Sequence, residues 1–597
     1  MSSKFSLRLP KKLPKLLPLG AAFLIGGGAI AYLNFAQNGS KSLSPAGTQL
    51  VPQTALATLT VTTDELTWTK LRQFGTMETQ QQLDGLLSQW KNRLFTDNGY
   101  SYKRDIKPWV GDRVTLAVLS PGDRDEQLPS DGSLAAATQD LVLVVPIADP
   151  LKAKSILGEG PRNPRVSLES RRYKGVDVQT LKSAQGGAVE VAVIGTNWLL
   201  LGNTAAGIEQ AISTYKGGKS LINAPGYRKA ANRIASPQPP GKNFAQIYVN
   251  IPAASKALAT PSGASAGSSI LPLQGSEGLV TTALIESEGV RFEGTSWLSP
   301  KNDLAYSELR NESGDMPRRL PDDTLVMMSG SNLQQFWKGF REGNTSPPFF
   351  PNPQNLEAGL LTQTGLDLQE DVLPWAAGEF ALGVLPPIAN ETAEGAENPL
   401  SNAQAAAGGT QPVPDDDSAD GATGQAAIVS APLMIMVQTN DRQMAESVWT
   451  QLDEVMASRY RFKVDKSEFE GGSLTTWSSP FQGVQFSHGW LPGNVVFFAV
   501  GENVGSAIAP SPDRSLAEMR TFQTVTNQAP DPNNGHFYLN LAQINGLDGG
   551  VFPLPQLSED AATAAIQTIG LTATVDNRAM DYDLYVKLAK GAKPGPL

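Results

Sequence analysis

The sequence predicts an α+β protein made of two tandem copies of a mostly antiparallel sheet-plus-helices unit, preceded by one N-terminal transmembrane helix. Three observations predict it. One stretch occurs twice, its neighbours recur in the same order, and the chain opens on a basic start followed by an apolar run.

The repeated stretch is GYSYKRDIKPWVGDRVTLAVL, Gly99 to Leu119, answered by GLDLQEDVLPWAAGEFALGVL, Gly365 to Leu385. Asp105/Asp371, Pro108/Pro374, Trp109/Trp375 and Leu116/Leu382 coincide without a gap, at a constant offset of 266. Proline biases the residue before it away from helix, so the motif reads as an aspartate, an extended x-Pro-Trp step and an alternating strand. Trp109 and Trp375 are its apolar anchors. Val114, Leu116 and Val118 then share one face of the strand, and the motif reads as packing, not binding.

The neighbours follow in order, which is the mark of an internal repeat. LVLVVPIADP (Leu141 to Pro150) pairs with LMIMVQTNDR (Leu433 to Arg442), each an apolar run of strand length entering an amphipathic stretch. NWLLLGNTAAGIEQAI from Asn197 answers NVVFFAVGENVGSAIA from Asn494, strand into helix again. IYVNI at Ile247 meets FYLNL at Phe537, and each half closes on two alternating segments with turns at Ser287-Glu288-Gly289 and near Asp576-Asn577.

Between Leu385 and Leu433 the second copy carries extra residues, and Asn390 to Gln425 is rich in Ala, Gly, Asn, Pro and Asp with little to bury. The sequence therefore divides into a basic start and anchor at 1–36, a tether at 37–52, a first repeat at 53–300 and a second at 301–597, with a disordered insert at about 390–427. Pro121 to Thr138 and Lys256 to Gly278 read as lesser loops.

Leu16 to Ala36, LLPLGAAFLIGGGAIAYLNFA, is uncharged and follows Lys4, Arg8, Lys11, Lys12 and Lys15. A transmembrane helix needs about 20 mostly apolar residues, and its cationic flank stays cytoplasmic. A single-pass protein is expected, its N-terminus in the cytoplasm and its body outside. A cleaved signal peptide is the alternative, with small residues at Ala29-Ile30-Ala31 and Asn34-Phe35-Ala36.

A chain of 597 residues exceeds one core and implies two large units. With five cations in the first 36 residues and a formal charge of −10 overall, the rest carries −15. An acidic body repels phosphate backbones, so nucleic acid is set aside as a partner. The absence of cysteine excludes disulfides, thiol catalysis and haem attachment through CxxCH.

No catalytic, cofactor or metal site survives inspection. His488 and His536 are the two histidines of the chain, too few for His-rich zinc sites, and both read as polar rings capping turns at strand edges. In YKGGKS, Tyr215 to Ser220, the phosphate-loop pattern needs glycine at 213, where Ser213 stands; a glycine helix cap is expected instead. Ser213 and Lys216 have the SxxK spacing without a KTG companion. Asp416 to Gly421 imitates a calcium loop that lacks its closing acid, since Ala427 holds that place. Asp64/Glu65, Asp322/Asp323 and Glu468/Glu470 are carboxylate pairs suited on paper to glycosidase chemistry, and read as solvated turns.

LTWTKLRQFGT (Leu66 to Thr76), DIKPWVG (Asp105 to Gly111), TYKGG (Thr214 to Gly218), PGYR (Pro225 to Arg228), SHGWL (Ser487 to Leu491) and NNGHFYLN (Asn533 to Asn540) together resemble an uncharacterised cyanobacterial family. It is catalogued as domain of unknown function 3352, membrane-anchored at the N-terminus. The resemblance implies a photosynthetic cell, with the body in the periplasm or thylakoid lumen, and implies no activity, ligand or catalytic residue.

The expectation is a non-enzymatic, membrane-tethered binding or scaffold module for envelope or thylakoid components, without cofactors. Its partners would be the membrane, a protein and possible lipid. A carrier or sensor of an apolar ligand, lipid or pigment, and a carboxylate-based hydrolase, are the alternatives.

Overall fold

The computed structural model describes residues 47–120, 140–159, 162–163, 166–183, 188–234, 242–258, 275–299, 310–342, 352–387, 432–480, 485–547 and 563–594. The anchor at 1–36, the insert at about 390–427 and the loop from Pro121 to Thr138 lie outside these residues. No helix among the described residues is long and apolar enough to cross a membrane.

Among the described residues, twenty strands form one antiparallel sheet. The first ten begin with β1 (Ala57–Thr62), β2 (Arg113–Leu119), β3 (Asp140–Pro146), β4 (Val166–Tyr173) and β5 (Val176–Ser183). They continue with β6 (Ala188–Ile194), β7 (Trp198–Gly202), β8 (Asn243–Asn250), β9 (Ser276–Ile285) and β10 (Gly289–Leu298). The second ten begin with β11 (Val326–Gly330), β12 (Phe380–Val384), β13 (Leu433–Gln438), β14 (Lys463–Phe469) and β15 (Gly472–Ser478). They end with β16 (Gln485–Leu491), β17 (Val495–Val500), β18 (Gly535–Leu539), β19 (Ile566–Asp576) and β20 (Ala579–Leu588).

From one edge the strands run β4, β5, β6, β7, β3, β2, β1, β8, β9, β10. From the other edge they run β14, β15, β16, β17, β13, β12, β11, β18, β19, β20. The same order thus leads inward from both sides, and β10 pairs with β20 at the centre. The hairpins expected at Glu288-Gly289 and Asn577 close β9 on β10 and β19 on β20.

Helices cover both faces. In the first half Trp68 and Leu71 of the helix Glu65–Leu71, Leu83 and Leu87 of Met77–Leu94 and Ala153 of Pro150–Gly158 pack on one face. Ile208 and Ile212 of Ala205–Tyr215 and Tyr227 of Tyr227–Arg233 pack on the other. Both faces of β2 are thus covered: Val114 is buried with Leu116 and Val118 half-buried on its side, and Thr115, Ala117 and Leu119 opposite are buried. Residues assigned to the tether also join the body, since Leu50 and Val51 are buried and Leu221 donates its N–H to the Val51 carbonyl. Pro52 bridges to Ser220, as Pro321 bridges to Ser515.

The repeated motif takes the same form in both places, but not the extended one. Tyr102–Ile106 and Leu368–Val372 are wide π-helical turns, and the residues before the prolines are helical: Lys107 at φ −49, ψ −39 and Leu373 at φ −61, ψ −31. Side-chain ties override the proline bias. Ser101 N–H donates to the Asp105 carboxylate at 2.7 Å, and Asp367 N–H to Asp371 at 2.7 Å. Arg104 hydrogen-bonds Asp105 and, with that Ser101 N–H and Arg162, outweighs burial and holds its carboxyl at about 2.

At the centre, Arg291 of β10 is wholly buried, with Nη1 2.5 Å from Asp583, Nε 3.1 Å from Glu286 and its plane over the Tyr585 ring. Asn527 Oδ1 accepts from Nη2 at 2.7 Å. Arg233, also of the first half, reaches across to Asp576 at 2.9 Å and to Asp581. One apolar core passes under this seam, from Val61 and Trp68 to Phe537, Leu571 and Leu584.

Candidate functional site

The residues that could carry chemistry are scattered through the fold and mostly have packing roles. Asp64 caps the helix Glu65–Leu71 by accepting from Leu66 and Thr67 N–H, and Glu65 pairs with Lys107 at 2.9 Å. Asp322 faces Arg514 at 3.3 Å, while burial, then Asp322, raises the Asp323 pKa. Glu468, near the end of β14, and Glu470, at the turn that follows, are both exposed. Asp416 to Gly421 lies outside the described residues.

Lys216 caps the helix Ala205–Tyr215, and Gly217 follows at φ +120, as a glycine helix end requires. Ser213 does not face Lys216 chemically; its Oγ accepts from Lys174 Nζ at 2.8 Å and shares a hydrogen bond with the Tyr173 hydroxyl at 3.1 Å. Lys174 is exposed.

Both histidines sit inside strands, which corrects the turn-capping role. His536 lies in β18 with Nδ1 2.9 Å from Thr572 Oγ1, and burial lowers its pKa to about 4. His488 lies in β16, 5 % exposed, with Nε2 2.9 Å from Asp453 Oδ1. A polar ring can occupy a strand interior here because a carboxylate from the covering helix meets it.

That helix, Arg442–Ser458, supplies the candidate site. Ala445, Val448, Leu452 and Met456 are its buried stripe. Asp453 stands one residue beyond that stripe, also buried, and four residues after Trp449. Its Oδ1 also accepts from Trp477 Nε1 at 2.7 Å, and its Oδ2 pairs with Lys466 Nζ at 2.6 Å. Burial pushes the carboxyl up, but hydrogen bonds from His488, Lys466 and Trp477 outweigh it and leave the pKa at about 2. Trp449 stacks on the imidazole at 4.5 Å, and Phe486 and Phe498 close the ring of aromatics.

Asp453 escaped sequence reasoning. The available signal was a carboxylate beside a helix's apolar stripe, four residues after a tryptophan, which calls for a buried partner. The chemistry of the set is that of a clamp: an acid–imidazole contact fastening helix to sheet, with the ring almost wholly buried. Among the described residues, no group of three or more His, Asp or Glu side chains could hold a metal ion.

Fold and site together define an antiparallel α+β protein whose buried polar clusters join helices and half-sheets. The chain belongs to the family described as a protein of unknown function (DUF3352), whose model matches residues 18–588. No curated protein matches it. Among solved structures, crystal form III of TP0453 is 12% identical over 44% of this chain and 83% of its own, with a TM-score of 0.23. Crystal form I is 10% identical over 44% and 82%, also at 0.23. At such scores neither likeness carries anything over to this chain.

Proposed function

We propose that this protein is a non-enzymatic binding or scaffold module, tethered by residues 16–36 to a membrane and acting outside the cytoplasm, with a protein as its main partner. The two halves, in this reading, descend from one duplicated unit. The matched strand orders and the paired geometry of Trp109 and Trp375 support that origin.

The observation that carries the functional reading is the closure of the Asp453–His488 pair. A working acid–base dyad needs to reach a reacting atom, whereas this one is covered by Trp449 and Trp477 and bonded to Lys466. A binding surface requires only shape and apolar or aromatic anchors.

The test begins with the intact protein in its native membrane. Carbonate washing should leave it in the membrane fraction; a soluble form beginning at Tyr32 or Gln37 would reveal a cleaved signal. Partner recovery by crosslinking should then survive the double change His488→Ala and His536→Ala in a chain that still folds. If the folded double variant loses its function while its partners stay bound, the non-enzymatic reading is wrong.

A further inference from the structure

Strand register relates the two outer parts of the sheet residue by residue. The row Leu168, Leu181, Val189 across β4, β5 and β6 occupies the place of Val464, Trp477, Phe486 across β14, β15 and β16. One row inward, Val191 stands where His488 stands, and Leu201 where Phe498 stands. Val193 likewise takes the place of Trp490.

In the second half this face is covered. The helix Arg442–Ser458 has seventeen residues, and its Val448, Leu452 and Met456 pack with Trp477. The helix at the matching place in the first half, Pro150–Gly158, has nine. It is shorter by about two turns, or roughly 12 Å. Of the residues that follow it, Arg162 pairs with Asp105 at 3.1 Å and lies over Tyr100, and Asn163 donates to the Asp97 carbonyl.

The result is an apolar face left open. Leu168 is 42 % exposed, Val189 44 % and Val193 40 %, against 7 % for Trp490 at the position of Val193. The edge strand β4 itself is guarded by charge, with Glu169 paired to Lys182 and Arg172 to Asp177. Charged edges disfavour strand addition, so an occupant lies on the face and not beside it.

We infer that this face, under the binding-module reading above on which the inference rests, is the docking site for an amphipathic α-helix of a protein partner. The helix lies over β4, β5 and β6, where the last two turns of Arg442–Ser458 lie over their counterparts. Three strands span about 10 Å, the width of one helix. The chemistry of the occupant follows from the substitutions in the face. Of the three partners of Asp453, His488 and Trp477 are replaced by Val191 and Leu181, and the cation of Lys466 by Ser170. A buried acid on the docking helix would find no partner, so the occupant carries apolar side chains at every inward position, spaced i, i+4, i+7.

The probe is a labelled synthetic peptide with the sequence Ala445–Phe462 and the change Asp453→Leu, titrated into the full chain in detergent. Saturable binding is expected, weakened more than about tenfold by Leu168→Glu or Val189→Glu and unaffected by Leu361→Glu on the second half. Both test positions are exposed, and melting curves check that the variants fold. Absence of saturable peptide binding, or binding that the two glutamates leave intact, overturns the site. So does a chain dimer that Val189→Glu dissociates, or flotation with phosphatidylcholine vesicles that Leu168→Glu abolishes, since either names another occupant. If crosslinked native partners remain on the Val189→Glu chain while the peptide fails, this site falls and the binding-module reading stands.

Discussion

The Trp109 indole N–H donates to the Asp105 carbonyl at 2.7 Å, four residues back, and Trp375 makes the same bond to Asp371 at 2.8 Å. Each ring is buried, 2 % and 3 % exposed. Each tryptophan's carbonyl also receives the next strand's exit, from Ala148 N–H in one half and from Thr439 Oγ1 in the other.

Trp109→Ala and Trp375→Ala should therefore each destabilise the protein by about 3–5 kcal/mol. Phenylalanine at either place keeps most of the ring and leaves the Asp carbonyl unmet, at about 1 kcal/mol for the hydrogen bond plus the lost ring area. A denaturant titration of the variants measures both; a midpoint equal to the parent's would remove the packing role.

Arg291→Ala should cost about 3–5 kcal/mol, because it strands the buried carboxylate of Asp583, and the half-buried one of Glu286, on opposite sides of the β10–β20 seam. Changing Asp583→Leu together with Arg291→Met should recover most of it. Comparing the single and double changes in one thermodynamic cycle gives the coupling, and additivity would show the pair to be independent.

The Asp453 carboxyl titrates at about 2 in the folded protein, below its ordinary unfolded value of about 3.9. Its contribution is therefore present above pH ~4 and is lost as pH falls through the folded value, amounting to about 3 kcal/mol. Asp453→Asn should lower stability at neutral pH and flatten the curve between pH ~4 and ~2. An unchanged acid limb in urea unfolding would contradict the clamp.

His536 and Asp583 should oppose one another in mild acid. Buried His536 has a pKa lowered to about 4, so between pH ~6.5 and ~4 the unfolded chain binds the extra proton and stability falls on acidification, by about 3 kcal/mol. Burial pushes Asp583 up to about 6 against the pull of Arg291; its share is full below pH ~3.9 and is lost as pH rises through 6. His536→Gln should leave a chain whose stability falls as pH rises from 4 to 6, and Asp583→Asn one that rises more steeply than the parent. Stability measured across that range by chemical denaturation decides both signs.

Much of the architecture was legible in the residues. The apolar run at Leu141, the strand-to-helix step at Asn197 and the closing hairpins at Glu288 and Asn577 are local features, fixed by side-chain period and turn chemistry. The site was not. Asp453 and His488 are 35 residues apart in the chain, and only the packing of a helix on a sheet brings them to 2.9 Å. The turn before each tryptophan departs from proline's local bias because a carboxylate tie spans it.

The sequence by itself determined the α+β class, the order of elements and the paired motifs, because hydrophobic periodicity and local backbone preference act over a few residues. Tertiary structure decided the rest. The union of both halves through β10 and β20, the burial of Arg291 between them and the open face over Leu168 and Val189 depend on which surfaces meet and how long each covering helix is. Those are contacts between residues far apart in the chain, whose free energy exists only once the sheet has formed.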